Sequence, residues 1–280
     1  MNSFVSWVGG KKLLRDTIVR HFPLTYDTYI EVFGGGGWVL FHKPVNQGKE
    51  IYNDYNGLLV NLFRCVQCES KAARMKNLLK YSINSREEFD RIRKVMNNPE
   101  ARMSDFRRAA YYYQLIRYSY SSGLDSFGGR PHNIRGDFPI IDMATKRLEY
   151  VTVEHKDFEA MLLSTYNTLE NFFYCDPPYH DSEGFYKNVG TGGFMLENHY
   201  RLRDTLLGKK FNGRFLLSYN DDAFVRDLYN REGIYFLELK RLHNMKQRFE
   251  KGAQFPELLI ANYNLHDPSQ LALAQTSLFY

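Results

Sequence analysis

Apolar and polar positions follow two regimes along the chain. In the first, short aromatic and aliphatic runs are bounded by glycine, proline, asparagine or aspartate, the mark of strands. Seven such runs occur, at 29–33, 50–53, 150–154, 172–175, 215–219, 234–239 and 258–263. In the second, apolar residues recur at helical spacing, as in 12–21, 38–42, 196–208 and 222–231. From about 58 to 119 the spacing is helical and heavily charged. One helix there starts at Ser104-Asp105 and runs through Tyr111, Tyr112, Tyr113, Leu115 and Arg117. Strands separated by helices predict an α/β fold. Only the last two strands lack an intervening helix, so they are expected to close the sheet as a C-terminal antiparallel hairpin. The charged helical stretch reads as an insertion over 63–144, within an α/β domain formed by 1–62 and 145–280.

The ends of three strands carry the candidate chemistry. Phe172–Cys175 stops at Asp176-Pro177-Pro178-Tyr179. Proline lacks an amide donor and biases the preceding residue to extended geometry, so the sheet must end there in a stiff loop. Ligands bind at such carboxyl ends in open α/β sheets. The first strand runs into Gly34-Gly35-Gly36-Gly37 before a helix starting at Trp38. That is a nucleoside-cofactor arrangement, but Val39 takes the third glycine position of the dinucleotide fingerprint. A cofactor with a ribose and no phosphate fits better than NAD or FAD. Asp54 ends the second strand, placed to accept bonds from ribose hydroxyls or to form an Asx turn. Upstream, Trp7, Gly9, Gly10 and Lys11 suggest backbone approaching a ligand closely, without the spacing of a phosphate loop. The glycine-rich stretch 119–133, with Ser122, Arg130, His132 and Asn133, reads as an exposed recognition loop. The segment 240–254 carries Lys246 and Arg248, suited to a phosphate backbone.

Composition narrows these readings. A net charge of +5 suits a polyanionic partner, and 16% aromatic residues leave some rings for stacking on bases. Three cysteines, Cys65, Cys68 and Cys175, form no disulfide framework, which suits a reducing cytoplasm. Cys65 and Cys68 stand within a helical stretch and lack a second pair, so no metal site is expected. No signal peptide or membrane span is legible.

Together these pieces resemble the Dam-like family of DNA adenine-N6 methyltransferases. The resemblance rests on Phe4-x-x-Trp7-x-Gly9-Gly10-Lys11, Glu31-x-Phe33-x-Gly35-x-Gly37, Asn53-Asp54-x-Asn56, Asp157-Phe158, Asp176-Pro177-Pro178-Tyr179, Leu217-Ser218-Tyr219-Asn220 and Glu257-Leu258-Leu259, in that order. It covers nearly the whole chain. It implies a Rossmann-like methyltransferase sheet, S-adenosylmethionine as cofactor, S-adenosylhomocysteine as product, and double-stranded DNA as partner. By position, Trp7, Lys11, Asp54 and Asp176 correspond to cofactor contacts, and the glycine loop with Asp157-Phe158 completes the pocket. The insertion corresponds to the target-recognition region, with Arg117, Ser122, Arg130, His132 and Asn133 as DNA contacts. GATC specificity is not implied. Where its readers carry Asn-Gly and a nearby arginine, this chain has Ser122-Gly123 followed by Leu124-Asp125-Ser126-Phe127.

The resemblance further implies base flipping, with Asp176 and the Pro177 carbonyl accepting the adenine amino hydrogens and Tyr179 stacking on the base. A cytoplasmic monomer or weak dimer is expected, with a cognate restriction endonuclease as a candidate partner. Two rival readings stand beside it. One keeps the fold with another acceptor, such as cytosine N4, RNA or a protein glutamine. The other is a non-catalytic DNA-binding protein of this fold.

Overall fold

A computed structural model describes residues 1–7, 9–180, 193–242 and 254–272. All seven expected strands form, in one sheet: β1 (Thr28–Glu31), β2 (Lys49–Asn53), β3 (Val151–Glu154), β4 (Phe172–Cys175), β5 (Arg214–Asn220), β6 (Tyr235–Leu242) and β7 (Gln254–Ala261). Their order is β3-β2-β1-β4-β5-β7-β6. The first five are parallel, and β7 runs antiparallel between β5 and β6. β1 and β4 are neighbours, with Glu31 beside Tyr174. Since β1 leads to β2 on one side and β4 to β5 on the other, the order reverses between them. A crevice opens at the carboxyl ends of such a pair.

Helices cover both faces. One core contains Tyr29, Tyr52, Tyr174 and Leu216 from the sheet, and the other contains Ile30, Ile51, Phe173 and Leu217. Adjacent strand residues thus feed opposite faces, as the period of two requires. The expected insertion is built from α4 (Glu69–Leu79), α5 (Arg86–Met96) and α6 (Asp105–Tyr118), with a loop and a 3₁₀ turn, Ile134–Asp137, after them. Its Met75, Phe89 and Tyr113 belong to the same core as Phe4 and Tyr52. The segment therefore shares the core of the sheet's first face. The sequence boundaries at 62/63 and 144/145 fall inside α3 (Gly57–Gln67) and α7 (Phe138–Leu148), which join the two parts.

Two helices differ from the pattern-based expectation. The helical run from 58 divides at Cys68, whose extended backbone (φ −87°, ψ 111°) ends α3 and starts α4. The N-terminal helix begins at Arg15, as α1 (Arg15–Arg20), because Lys11 to Leu14 form a preceding turn with Leu14 N donating to Lys11 O at 3.0 Å. Among the described residues no helix is long and apolar enough to cross a membrane.

Candidate active site

The glycine turn shapes the floor of the crevice. Gly34 N donates to Asn53 O, and Gly37 N returns to Gly34 O, both at 2.7 Å. A Cβ on Gly34 would lie 2.2 Å from the Tyr52 ring, so no side chain fits there. Gly37 precedes α2 (Trp38–His42) with φ 67°, a left-handed geometry that glycine adopts without strain. Asp54 ties β2 to the turn. Its Oδ2 accepts from Gly35 N and its Oδ1 from Asn56 N, each at 2.7 Å. The second bond is the Asx turn that the sequence allowed, and Asn56 then caps α3. Burial pushes the Asp54 carboxyl upward, against the pull of these two amides.

The wall is made by the loop after β4 and the N-terminal segment. Lys11, 3% exposed, places Nζ 2.6 Å from Asp176 Oδ1 and 3.2 Å from Gly9 O. Ser218 Oγ donates to the same Asp176 oxygen at 3.0 Å, and Tyr174 OH lies 3.0 Å from Ser218 Oγ. The carboxylate is thereby oriented by β5 from beneath and by Lys11 from the side. The Lys11 ammonium also stands 4.6 Å from the centre of the Tyr179 ring. A base stacking on Tyr179 must use ring surface that this cation leaves open. Deeper in, Glu31 is 2% exposed and accepts from Tyr29 OH at 2.7 Å. Burial pushes its carboxyl up to about 8.

These groups surround one cavity of about 420 Å³, a size suited to a small-molecule ligand. Trp7, Gly9, Gly10, Lys11, Glu31, Phe33, Gly34, Gly35, Gly36, Asp54, Asp157, Phe158, Asp176, Pro177 and Tyr179 all line it. Gly37 does not, and its role is the helix start described above. Phe158 stacks on Phe33 with centroids 5.5 Å apart, and Asp157 caps α8 (Phe158–Leu162) through Glu159 N. Sequence reasoning missed Trp38, Phe194, Asn198 and Arg201, which also line the cavity. Arg201 lies 4.2 Å over the Phe158 ring and pairs with Asp157. Its only sequence signal was position. Asn198 and Arg201 are three apart on α9 (Leu196–Leu206) and so share a face. Among the described residues no group of three or more His, Cys, Asp or Glu is placed to hold a metal ion.

The DNA candidates divide. Arg117, Ser122 and Arg130 line a second cleft of about 170 Å³, together with Ser6, Tyr120 and Ser121. Nearby, Ser121, Ser122 and Leu124 have φ of 50°, 60° and 66°, left-handed values uncommon for residues other than glycine. Arg117 and His132, expected as DNA contacts, are both engaged with protein partners. Arg117 reaches Asp137 at 2.8 Å, Ser6 at 3.1 Å and His132 at 3.2 Å, while His132 reaches Asp137 at 2.8 Å. A buried aspartate needs such partners, and through Arg117 the cluster also reaches Ser6 of the N-terminal segment. Asn133 caps the 3₁₀ turn by accepting from Arg135 N. Lys246 and Arg248 lie outside the described residues.

A family model for the D12 class of N6 adenine-specific DNA methyltransferases matches residues 7–245. The chain belongs to that family. Membership makes it an enzyme of adenine-specific DNA methylation and accords with the mixed α/β sheet. It is similar to the DNA adenine methylase of Escherichia coli (strain K12), at 26% identity over 258 residues, covering 85% of this chain and 88% of that protein. The type II methyltransferase M.CviBI of Paramecium bursaria Chlorella virus NC1A is 23% identical over 249 residues, covering 88% and 92%. The retron Ec67 DNA adenine methylase of Escherichia coli is 25% identical over 255 residues, covering 86% and 85%. For this D12 methyltransferase, the matched span runs from Trp7 past Asp176 and includes all of 63–144.

Proposed function

We propose that this D12 methyltransferase binds S-adenosylmethionine in the 420 Å³ cavity and methylates N6 of an adenine flipped out of double-stranded DNA. The donor set suits that cofactor. Phe33 and Phe158 offer aromatic surface for an adenine, and Asp54 retains lone-pair capacity for ribose hydroxyls beside its two amide bonds. The buried Glu31 carboxyl offers a counter-charge for an ammonium group. Lys11, Lys156 and Arg201 line the cavity, but each is paired with a carboxylate, so it is poorly furnished for a pyrophosphate.

S-adenosylmethionine, when bound, supplies an electrophilic methyl group on a sulfonium. The chain's task is to make a poor nucleophile, the delocalised amino nitrogen, attack it. Asp176 and the Pro177 carbonyl accept the two amino hydrogens, localise the lone pair and offset the positive charge that develops on nitrogen, which is discharged when one of those hydrogens leaves as a proton to solvent. Ser218 and Lys11 hold Asp176 in place, so little reorganisation is needed during the reaction. Tyr179 receives the flipped base. The cleft at Ser6, Ser122 and Arg130 is the candidate contact for the duplex.

The observation that carries this reading is the fixed carboxylate at the β4 carboxyl end, opening onto the same cavity as the glycine turn. A cytoplasmic enzyme acting as monomer or weak dimer, with or without a partner endonuclease, completes it. Mass analysis of nucleosides from DNA treated with the protein and S-adenosylmethionine is the test. N6-methyladenine is expected, and N4-methylcytosine or unmodified DNA would overturn the proposal.

A further inference from the structure

Glu257 is a buried carboxyl with no part in the scheme above. It lies on β7, 1% exposed, opposite Asn220 of β5 and Leu239 of β6. The next three residues, Leu258, Leu259 and Ile260, are core residues. An apolar side chain would continue that packing, whereas a buried carboxyl is costly unless hydrogen-bonded. Its Oε2 accepts a hydrogen bond from the Tyr179 hydroxyl, 78 residues away along the chain.

Tyr179 is thereby held from several sides. Glu257 takes the hydroxyl, and the Lys11 ammonium stands 4.6 Å from the ring centre. The Tyr219 ring lies 5.9 Å away at 31°. Two prolines stiffen the loop before it. A stacking platform that is ordered before its base arrives spares the complex that ordering cost. We infer that Glu257 is a positioning residue for methyl transfer, acting by holding the Tyr179 hydroxyl so that the ring meets the target adenine in a preset orientation. This rests on the reading of Tyr179 as the base platform. Glu257 itself does not line the cofactor cavity, although the Tyr179 ring does, and because Tyr179→Phe and Glu257→Ala both keep that ring, their effect is expected on base positioning rather than on cofactor affinity.

The test compares Tyr179→Phe, Glu257→Ala, Glu257→Gln and the Tyr179→Phe/Glu257→Ala double variant. It reads kcat, KM for DNA, S-adenosylmethionine affinity by calorimetry, and fluorescence of 2-aminopurine at the target base. Loss of one hydrogen bond that leaves a buried polar group unsatisfied lowers kcat about ten- to a hundredfold in Tyr179→Phe and in Glu257→Ala. Cofactor affinity is expected to stay unchanged in both. The double variant should be no slower than its slower parent, since both changes remove the same bond. Glu257→Gln, whose amide oxygen still accepts, should recover most of kcat and of the 2-aminopurine signal. Losses that multiply in the double variant, wild-type kcat in Glu257→Ala, or an equal loss of cofactor affinity would overturn the inference. Tyr179→Leu separates the two levels. Full activity there removes the platform reading itself, whereas its inactivity beside an unaffected Glu257→Ala removes only the role of Glu257.

Discussion

Removing the carboxylate of Asp176 should damage stability and catalysis by separable routes. The side chain pairs with Lys11 at 2.6 Å, and the two are 18% and 3% exposed. Asp176→Ala leaves the Lys11 ammonium buried, with the Gly9 carbonyl at 3.2 Å and the Tyr179 ring at 4.6 Å as remaining contacts. Breaking a buried pair from one side costs about 3–5 kcal/mol. Those two contacts and the partial exposure of Asp176 place this case near the lower end, about 3 kcal/mol. In a chain of this size that lowers the melting temperature by about 6–12 °C. The catalytic loss is larger. Removing a preorganised group that stabilises developing charge costs about a hundred- to a thousandfold in kcat, and Asp176 also orients the nucleophile, so at least a thousandfold is expected. Cofactor affinity, losing one contact, should fall by about tenfold or less. Asp176→Ala/Lys11→Met removes both charges and should regain most of the lost melting temperature without regaining turnover. Thermal melts, calorimetry with S-adenosylmethionine and transfer of a radiolabelled methyl group to DNA measure the three quantities. A single variant that melts like the wild type and retains more than about a tenth of its turnover would refute the reasoning about both the pair and the carboxylate.

Three further outcomes follow from the structure. Glu31 ionises near 8 in the folded chain because of burial, against an ordinary value of 4.5. Its contribution to stability is therefore full below about 4.5 and is lost as pH rises through about 8, a decline that Glu31→Gln should remove from a series of melts. An ammonium group bound beside it draws the proton off, so calorimetry near neutral pH in buffers of different ionisation enthalpy should show proton release on S-adenosylmethionine binding in the wild type and not in Glu31→Gln. Arg117 and Arg130 should behave differently although both line the second cleft. Arg117→Ala breaks the cluster on Asp137 and should lower the melting temperature with little change in the salt dependence of DNA binding. Arg130→Ala, at an exposed position, should leave the melt unchanged and reduce the salt slope by about one, which fluorescence anisotropy at several salt concentrations would show.

The strands were legible because their signals are local. An apolar run ending at Gly34 or Pro177 reports its own end, since a glycine turn and a missing amide act within a few residues. Asp54 was legible for the same reason, lying one residue past β2 and within reach of the turn it braces. Cavity residues on α9 were not. Arg201 looks like any solvated charge on a polar helix until the fold lays it over Phe158.

The sequence by itself thus determined which segments become strands, where the sheet must end, and which acid stands at the key end of β4. The tertiary structure alone decided which partner each polar group meets. Lys11 is bound to Asp176, Arg117 is bound to Asp137, and the Tyr179 hydroxyl is taken by Glu257. The reason is physical. Strand and turn preferences arise from neighbours in the chain, whereas a buried charge must find a partner wherever packing brings one, however distant in sequence.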